Sequence, residues 1–243
     1  MISVCIASYN GEKYIREQLE SILAQLENED EVIVSDDGST DNTLKIVSVI
    51  HDSRIKVIHN ELEHGYTKNF ENALNHCKGD YIFLADQDDV WCPDKVEKCI
   101  QALQGKPFVV HDAIMVNSDL EVFDTSQFKR YNVKPGFIHT FIRNRYNGCC
   151  MAFTREFLEN ALPFPKNQHL CRQDYWLPYL AEFHHDSITL VEGLIWYRRH
   201  EGTTLNAGEK SSRLFYEKVV SRFYVLFEVL KRKYSVCPKE NVN

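Results

Sequence analysis

The chain has 243 residues, 44% hydrophobic and 12% aromatic, enough apolar side chain for one large domain or a domain with an appendage. No run reaches the roughly 18 apolar residues that a membrane span needs, the start lacks a signal-peptide pattern, and eight scattered cysteines without a CxxC pair read as buried free thiols, so the expectation is a globular cytoplasmic protein. The net charge is −7, but Lys210 to Lys239 holds eight Lys or Arg against two Glu, a local +6; an acidic body with a basic tail argues against nucleic acid and leaves an anionic surface as a candidate partner for the tail.

In chain order, "ISVCIAS" is a near-continuous apolar run, as expected of a strand buried on both faces. "EKYIREQLESILAQL" then places Tyr14, Ile15, Leu19, Ile22, Leu23 and Leu26 at helical spacing. Strand "EVIVSD", helix "TDNTLKIVSVI", strand "RIKVIHN", helix "YTKNFENALNHC" and strand "DYIFLAD" follow. This alternation predicts an α/β fold with a mostly parallel central sheet flanked by helices, joined by right-handed crossovers. In such sheets ligands bind outside the carboxyl ends of the strands, near a topological switch point.

Polar residues gather at those ends. The first strand runs into "SYNG", the second into "SDDGSTD" and the fourth into "ADQDDVW", so Asp36, Asp37, Asp86 and Asp88 are expected to converge. "SYNG" also reads as a turn with Asn10 as N-cap, and "DDGSTD" as a set of turn and cap residues. The cluster Asp86, Asp88 and Asp89 is harder to explain as capping, because "CPDKVEKCIQAL" starts its own helix at Asp94 or Pro93. Carboxylates so close repel one another unless a cation compensates. Oxygen ligands suit Mg²⁺ or Mn²⁺, with the metal bridging to a diphosphate.

Together, "VCIASYNGEKYIREQLESIL", "EVIVSDDGSTDNTLKI", "GYTKNFENAL" and "GDYIFLADQDDVWCPDKV" resemble the nucleotide-sugar half of family 2 glycosyltransferases of GT-A fold, most closely the rhamnosyltransferase-like enzymes of bacterial surface polysaccharide synthesis. The likeness is dense to about residue 100 and continues through "NGCCMAF", "RQDYW" and "YRRHEGTT". It implies a GT-A domain over residues 1–206, with a donor half at 1–105 and an acceptor half at 106–206. Ser8, Tyr9 and Asn10 would line the nucleotide pocket, with Asp36 or Asp37 reading the base and Lys68 and Asn69 near the donor. Asp86, Gln87 and Asp88 would form the DxD motif, with Asp86 near the ribose, Asp88 on the metal and Asp89 behind them or supporting the sugar pocket. Gly148 would let a sugar approach the backbone, His200 would join the metal, and Arg198 or Arg199 would contact phosphate. Asp112 is a further residue expected near the sugar. Gln173 cannot act as a base, so Asp174 is expected to take the acceptor proton.

The resemblance implies an inverting transferase moving a sugar, L-rhamnose from dTDP-rhamnose or another hexose or N-acetylhexosamine from a UDP-sugar, to a saccharide or lipid-linked acceptor. A non-catalytic sugar-nucleotide-binding subunit is the alternative. In the C-terminal extension, residues 207–243, Phe215, Val219, Phe223, Leu226, Leu230 and Tyr234 make an apolar stripe among Arg213, Lys218, Arg222 and Lys231 to Lys233. Such a basic amphipathic helix either lies on an anionic membrane face or packs on the body or a second subunit.

Overall fold

The computed structural model describes residues 1–200 and 215–232. Strands β1 (Ile2–Ser8), β2 (Glu31–Asp36), β3 (Ile55–His59) and β4 (Tyr81–Asp86) alternate with helices α1 (Ile15–Leu23), α2 (Thr43–Ser48) and α3 (Tyr66–His76). These strands pair in parallel in the order β3-β2-β1-β4, with Ser8 beside Asp36 and Ala7 beside Asp86. The chain moves outward from β1 to β3 and then returns to the other side of β1, which makes the β1/β4 boundary the switch point. Val4, Cys5 and Ile6 of β1 and Ile82 to Ala85 of β4 are wholly buried, as the continuous apolar runs require. Helix α1 buries Ile15, Leu19 and Ile22, one stripe at helical spacing; each such side chain contributes roughly 1.5–3 kcal/mol.

The second half adds β5 (Val90–Trp91), α4 (Lys95–Leu103), β6 (Phe108–Val116), β7 (Val122–Asp124), α5 (Gln127–Tyr131), α6 (Phe137–Ile142), a 3₁₀ turn at Gly148–Cys150, β8 (Met151–Thr154), α7 (Arg155–Ala161), α8 (Gln173–Phe183), β9 (Ser187–Arg198) and α9 (Phe215–Lys231). Here the sheet is mixed. Strand β8 lies antiparallel between β4 and β6, β9 runs parallel to β6, and β5 pairs antiparallel with β9. The parallel expectation holds for β3-β2-β1-β4 and gives way beyond it, because the segment carrying α5 and α6 turns the chain back instead of carrying it across the sheet to restart in the same direction.

Helix α9 rests on the body, though not through the expected stripe. Its buried residues are Ser221, Val225 and Val229, while Phe223, Phe227 and Leu230 are exposed by 61%, 58% and 62%. Small and β-branched side chains let α9 approach α8 closely, and larger ones on that face would hold it off. The Tyr224 hydroxyl accepts from the Asn167 N–H at 3.1 Å, and Arg232 donates to the Leu162 carbonyl at 2.7 Å. Of the C-terminal residues singled out in the sequence, Arg213, Lys233, Tyr234 and Cys237 lie outside the described residues. The other seven cysteines are free thiols, six of them buried. Among the described residues no helix is long and apolar enough to cross a membrane.

Candidate active site

Two loops at the carboxyl edge are fastened to each other before any ligand is considered. The Gln87 side chain grips the end of β1: its Oε1 accepts from the Tyr9 N–H at 2.9 Å and the Ser8 hydroxyl at 3.2 Å, and its Nε2 donates to the Tyr9 carbonyl at 2.9 Å. A Cβ on Gly11 would stand 2.3 Å from Gln87 Oε1, so the clamp requires glycine there. Asn10 is not a helix cap. It takes a left-handed conformation (φ 49°), and its Oδ1 accepts from the Thr40 N–H at 2.8 Å, tying the β1 loop to the β2 loop. Gly11→Ala and Gln87→Ala are each expected to cost about 1–3 kcal/mol, and together little more than one alone. Urea unfolding of the two single variants and the double variant checks this, and additive losses would show that no clamp exists.

The two aspartates after β2 do different things. Asp36 is buried and spent on its own turn, accepting from the Gly38 and Ser39 N–H groups at 3.1 and 2.9 Å and from the Ser39 hydroxyl. Asp37 reaches the loop before α3, accepting from the Gly65 N–H at 2.8 Å and Asn60 Nδ2 at 2.6 Å, with His64 Nδ1 at 2.9 Å. His64 meets the exposed Tyr9 ring edge-on at 5.2 Å. Tyr9, Asp37 and His64 thus form one wall at the rim. Sequence reasoning missed His64 because its only signal was a position after β3. In α3, Asn69 Nδ2 donates to the Ser8 carbonyl at 3.1 Å, while Lys68 is paired with Glu71 at 2.5 Å instead of facing the donor edge.

The carboxylate cluster closes the β4 end. Asp88 and His200 face each other, Oδ2 to Nε2 at 2.8 Å, with side chains 20% and 17% exposed. Behind them, Asp86, Asp89 and Cys149 each bring a ligand-type atom within 4.8 Å of the others. Burial pushes the Asp86 carboxyl up to about 7, and the charges of Asp88 and Asp174 add to the push. Asp89 is raised further in the same direction, chiefly by burial; its Oδ1 accepts from the Arg198 N–H at 3.0 Å, and its buried Oδ2 has no hydrogen-bond partner among the described residues. Two acids with raised carboxyls, an orphaned buried carboxylate oxygen and an accessible carboxylate–imidazole pair fit a divalent cation. Asp86, Asp88 and His200 are partly open to solvent and Asp89 is buried; the Cys149 thiol is buried and raised, a poor ligand for a hard ion.

The raised Asp86 carboxyl gives the ion-free protein a pH dependence of definite sign. Its folded pKa of about 7 lies above the ordinary 3.8, so its contribution to stability is complete below about pH 4 and is lost as pH rises through 7. Asp86→Asn is expected to flatten the decline in stability between about pH 4 and 7, measured by urea unfolding in EDTA. A decline unchanged in the variant would show that Asp86 ionises normally.

Arg198 is not available for phosphate. It is 3% exposed, with Nε donating to the Asp88 carbonyl at 2.7 Å, Nη1 to the Ser118 carbonyl at 2.8 Å and Nη2 to Glu17, and it lies over the Tyr14 ring. It braces the turn that presents Asp88. Tyr14, also against the His200 ring at 4.8 Å, was read from sequence only as a core residue. Asp112 is likewise committed, buried and accepting from the Ala113 and Phe128 N–H groups at 2.7 and 2.8 Å and from the Ser126 hydroxyl at the start of α5.

Asp174 sits in the first turn of α8, its side chain 14% exposed, with Arg172 Nε 3.6 Å from its Oδ1. Its place is set from both sides: Gln173 Oε1 accepts from the Thr67 hydroxyl of α3 at 2.8 Å, and Asn144 Nδ2 donates to the Asp174 carbonyl. Gly148 is buried, and a Cβ there would make only ordinary contact, 3.6 Å from Gln173 Nε2, so the fold itself does not demand glycine. Lys95 is wholly buried behind the acids and was not singled out in the sequence. Its ammonium donates to the Cys149 carbonyl at 2.9 Å and lies 4.1 Å from the Trp91 ring centre.

A half-sheet of parallel strands with carboxylates at its switch point, flanked by helices and continued by a mixed half, is an architecture of GT-A type. The chain matches the Glycosyl transferase family 2 profile over residues 3–162 and belongs to that family. It is 28% identical over 179 residues to the Escherichia coli UDP-Glc:alpha-D-GlcNAc-diphosphoundecaprenol beta-1,3-glucosyltransferase WfgD, covering 73% of this chain and 68% of WfgD. It is 29% identical over 218 residues to the Shigella flexneri dTDP-rhamnosyl transferase RfbG, covering 83% of this chain and 74% of RfbG. Staphylococcus aureus TarS 1-349 in complex with UDP-GlcNAc superposes with a TM-score of 0.69 at 20% identity, covering 96% of this chain and 68% of that one. A Mycobacterium tuberculosis glucosyl-3-phosphoglycerate synthase holding Mn²⁺ and UDP superposes with a TM-score of 0.59 at 18% identity, covering 95% and 78%. Five curated relatives are spanned by this chain over only 33% to 68% of their own length.

Proposed function

We propose that the protein transfers a sugar, with inversion, from a nucleoside diphosphate donor to a saccharide acceptor carried on a lipid diphosphate, at the cytoplasmic face of the membrane during surface polysaccharide synthesis. The observation that carries this reading is the Asp88–His200 pair beside Asp86 at the end of β4, with Asp174 of α8 close enough for its charge to add to the push on Asp86. In this division of labour residues 1–105 hold the donor and 106–206 the acceptor. Tyr9, Asp37 and His64 bound the base, and Asp88 and His200 hold the metal. When bound there, Mg²⁺ or Mn²⁺ supplies Lewis-acid neutralisation of the leaving diphosphate. Asp174 accepts the proton of the acceptor hydroxyl as its oxygen bonds to the anomeric carbon and the bond from that carbon to the diphosphate oxygen breaks. A single carboxylate base and direct attack give inversion, as in inverting glycoside hydrolysis.

The donor we favour is dTDP-L-rhamnose, on the sequence resemblance and the likeness to RfbG; a UDP-hexose is the second reading, supported by the likeness to WfgD. Turnover with a panel of dTDP- and UDP-sugars on prenyl-diphosphate-linked acceptors, with the anomeric configuration of the product read by NMR, tests both. Retention of configuration would contradict the single-base mechanism, and hydrolysis or transfer by no donor would favour a non-catalytic subunit.

A further inference from the structure

Helix α9 is apolar on two opposite sides. Its inner face sets Ser221, Val225 and Val229 against the body, while Tyr216, Phe223, Phe227 and Leu230 recur at helical spacing along the outer face. Tyr216 is 72% exposed, more than any of the other three. A helix that only packs on its own domain turns polar residues to water on that side, so a row of large apolar side chains there calls for a partner. The row does not stand alone. Ile138 and Ile142 of α6 are 70% and 58% exposed, and α6 adjoins α9 where Phe141 meets Phe223 at 6.1 Å and Arg222 donates to the Ile142 carbonyl. Two helices thus carry one continuous apolar face.

The charge around this face selects the partner. Residues 125–142, which carry α5 and α6, hold three Lys or Arg and no Asp or Glu, and residues 215–232 hold four against two, in a chain whose net charge is −7. Lys134 shares a cavity wall with Ile142, Arg222 bridges the two helices, and the Lys231 ammonium rests 4.9 Å from the Phe227 ring while also pairing with Glu228. Attraction to an anionic surface follows net charge within a Debye length, and a cation bonded to a carbonyl keeps its charge. A second copy of the chain meeting this face with its own would set like charges against each other. The segments outside the described residues, 201–214 and 233–243, are mostly polar in sequence and offer no apolar stripe to lay over it. The face also adjoins the proposed base: Ser221 donates to the Leu170 carbonyl and the Tyr224 hydroxyl accepts from the Asn167 N–H, both in the segment that leads into α8 and Asp174.

We propose that the exposed faces of α6 and α9 together form a docking surface for an anionic lipid bilayer. Ile138, Ile142, Phe223, Phe227 and Leu230 enter the boundary between headgroups and acyl chains, and Lys134, Arg222 and Lys231 lie at the level of the lipid phosphates, their apolar stems crossing the same boundary. The purpose of this surface rests on the function proposed above, because it brings the Asp174 side of the site to the bilayer that carries the acceptor.

Co-sedimentation with phosphatidylglycerol and with phosphatidylcholine vesicles, in EDTA and without donor or acceptor, tests it. The wild-type protein is expected to bind the anionic vesicles, and the neutral ones at least about tenfold more weakly. The double variant Phe227→Ser, Leu230→Ser, altered only at exposed positions, is expected to weaken binding to phosphatidylglycerol at least about tenfold, and Lys134→Gln about fivefold. Phe227→Trp is expected to bind like wild type and to shift its tryptophan emission to the blue on anionic vesicles, which reports contact at that residue. Equal binding to the two lipids, no binding to either, a double variant that binds like wild type, or an emission unmoved in a bound Phe227→Trp protein would overturn the proposal. So would a dimer in solution that the double variant splits and that vesicles do not, because the face would then belong to a second copy. Mn²⁺-dependent binding of the donor nucleotide, measured without vesicles, is expected to be the same in wild type and variants. Its failure in wild type would strike the transferase reading and leave vesicle binding standing, which keeps the two failures apart.

Discussion

Asp174→Asn is expected to lower kcat by roughly 10²- to 10⁴-fold, the usual worth of a positioned general base, while leaving donor binding unchanged. The side chain is partly accessible at the first turn of α8, and that turn is held from α3 through Gln173 and from the α6–β8 connection through Asn144. These restraints act on Gln173 and on the Asp174 backbone, so none is lost in the variant. Asn keeps the volume and still suits a helix start, so the thermal midpoint should move little. Stopped assays over a donor and acceptor matrix separate the two parameters. A variant with wild-type kcat would remove Asp174 from the chemistry and reduce it to a helix-start residue.

The largest stability effect is expected at Lys95. Its truncation to Ala leaves the Cys149 carbonyl without its donor, opens a void against Trp91 and removes an ammonium buried near Asp89 and Cys149. Breaking one side of a buried charged arrangement costs about 3–5 kcal/mol, which for a chain of this size lowers Tm by roughly 6–20 °C. Lys95→Met keeps the stem and the contact with Trp91 and is expected to lose clearly less. Calorimetric melting of both variants checks the ranking; a Met variant as unstable as the Ala variant would assign the effect to charge alone, and two unperturbed variants would contradict the role of Lys95.

Much of this architecture was legible in the residues. The first four strands and three helices follow from apolar runs and helical spacing, and β2 and β4 run from Glu31 to Asp36 and from Tyr81 to Asp86, ending on the aspartates that mark the site. The pairing of Asp88 with His200 was also visible, because "ADQDDVW" and "YRRHEGTT" resemble paired segments of one family. What sequence could not show was which polar groups are used up internally. Asp36, Asp112 and Arg198 have the right chemistry for a ligand, but their hydrogen bonds close local turns or brace neighbouring loops. Gln87 was read as part of the DxD motif that binds the nucleotide sugar, and its side chain is the clamp on β1, a role that depends on a partner 78 residues away. The mixed half of the sheet was hidden for a related reason: β5 has two residues and β8 four, too short for periodicity to announce a direction. In α9 the apolar residues lie on several sides, so composition alone could not choose the buried face.

The central claim is that the edge bearing Asp88 and His200 holds a metal-bound nucleoside diphosphate. Calorimetric titration of UDP- and dTDP-sugars into the wild-type protein and Asp88→Ala, with and without Mn²⁺, tests it most directly. The account predicts that one nucleotide class binds wild type only when Mn²⁺ is present and weakens by about 100-fold or more in the variant. Nucleotide binding of equal strength without metal and in Asp88→Ala would contradict it.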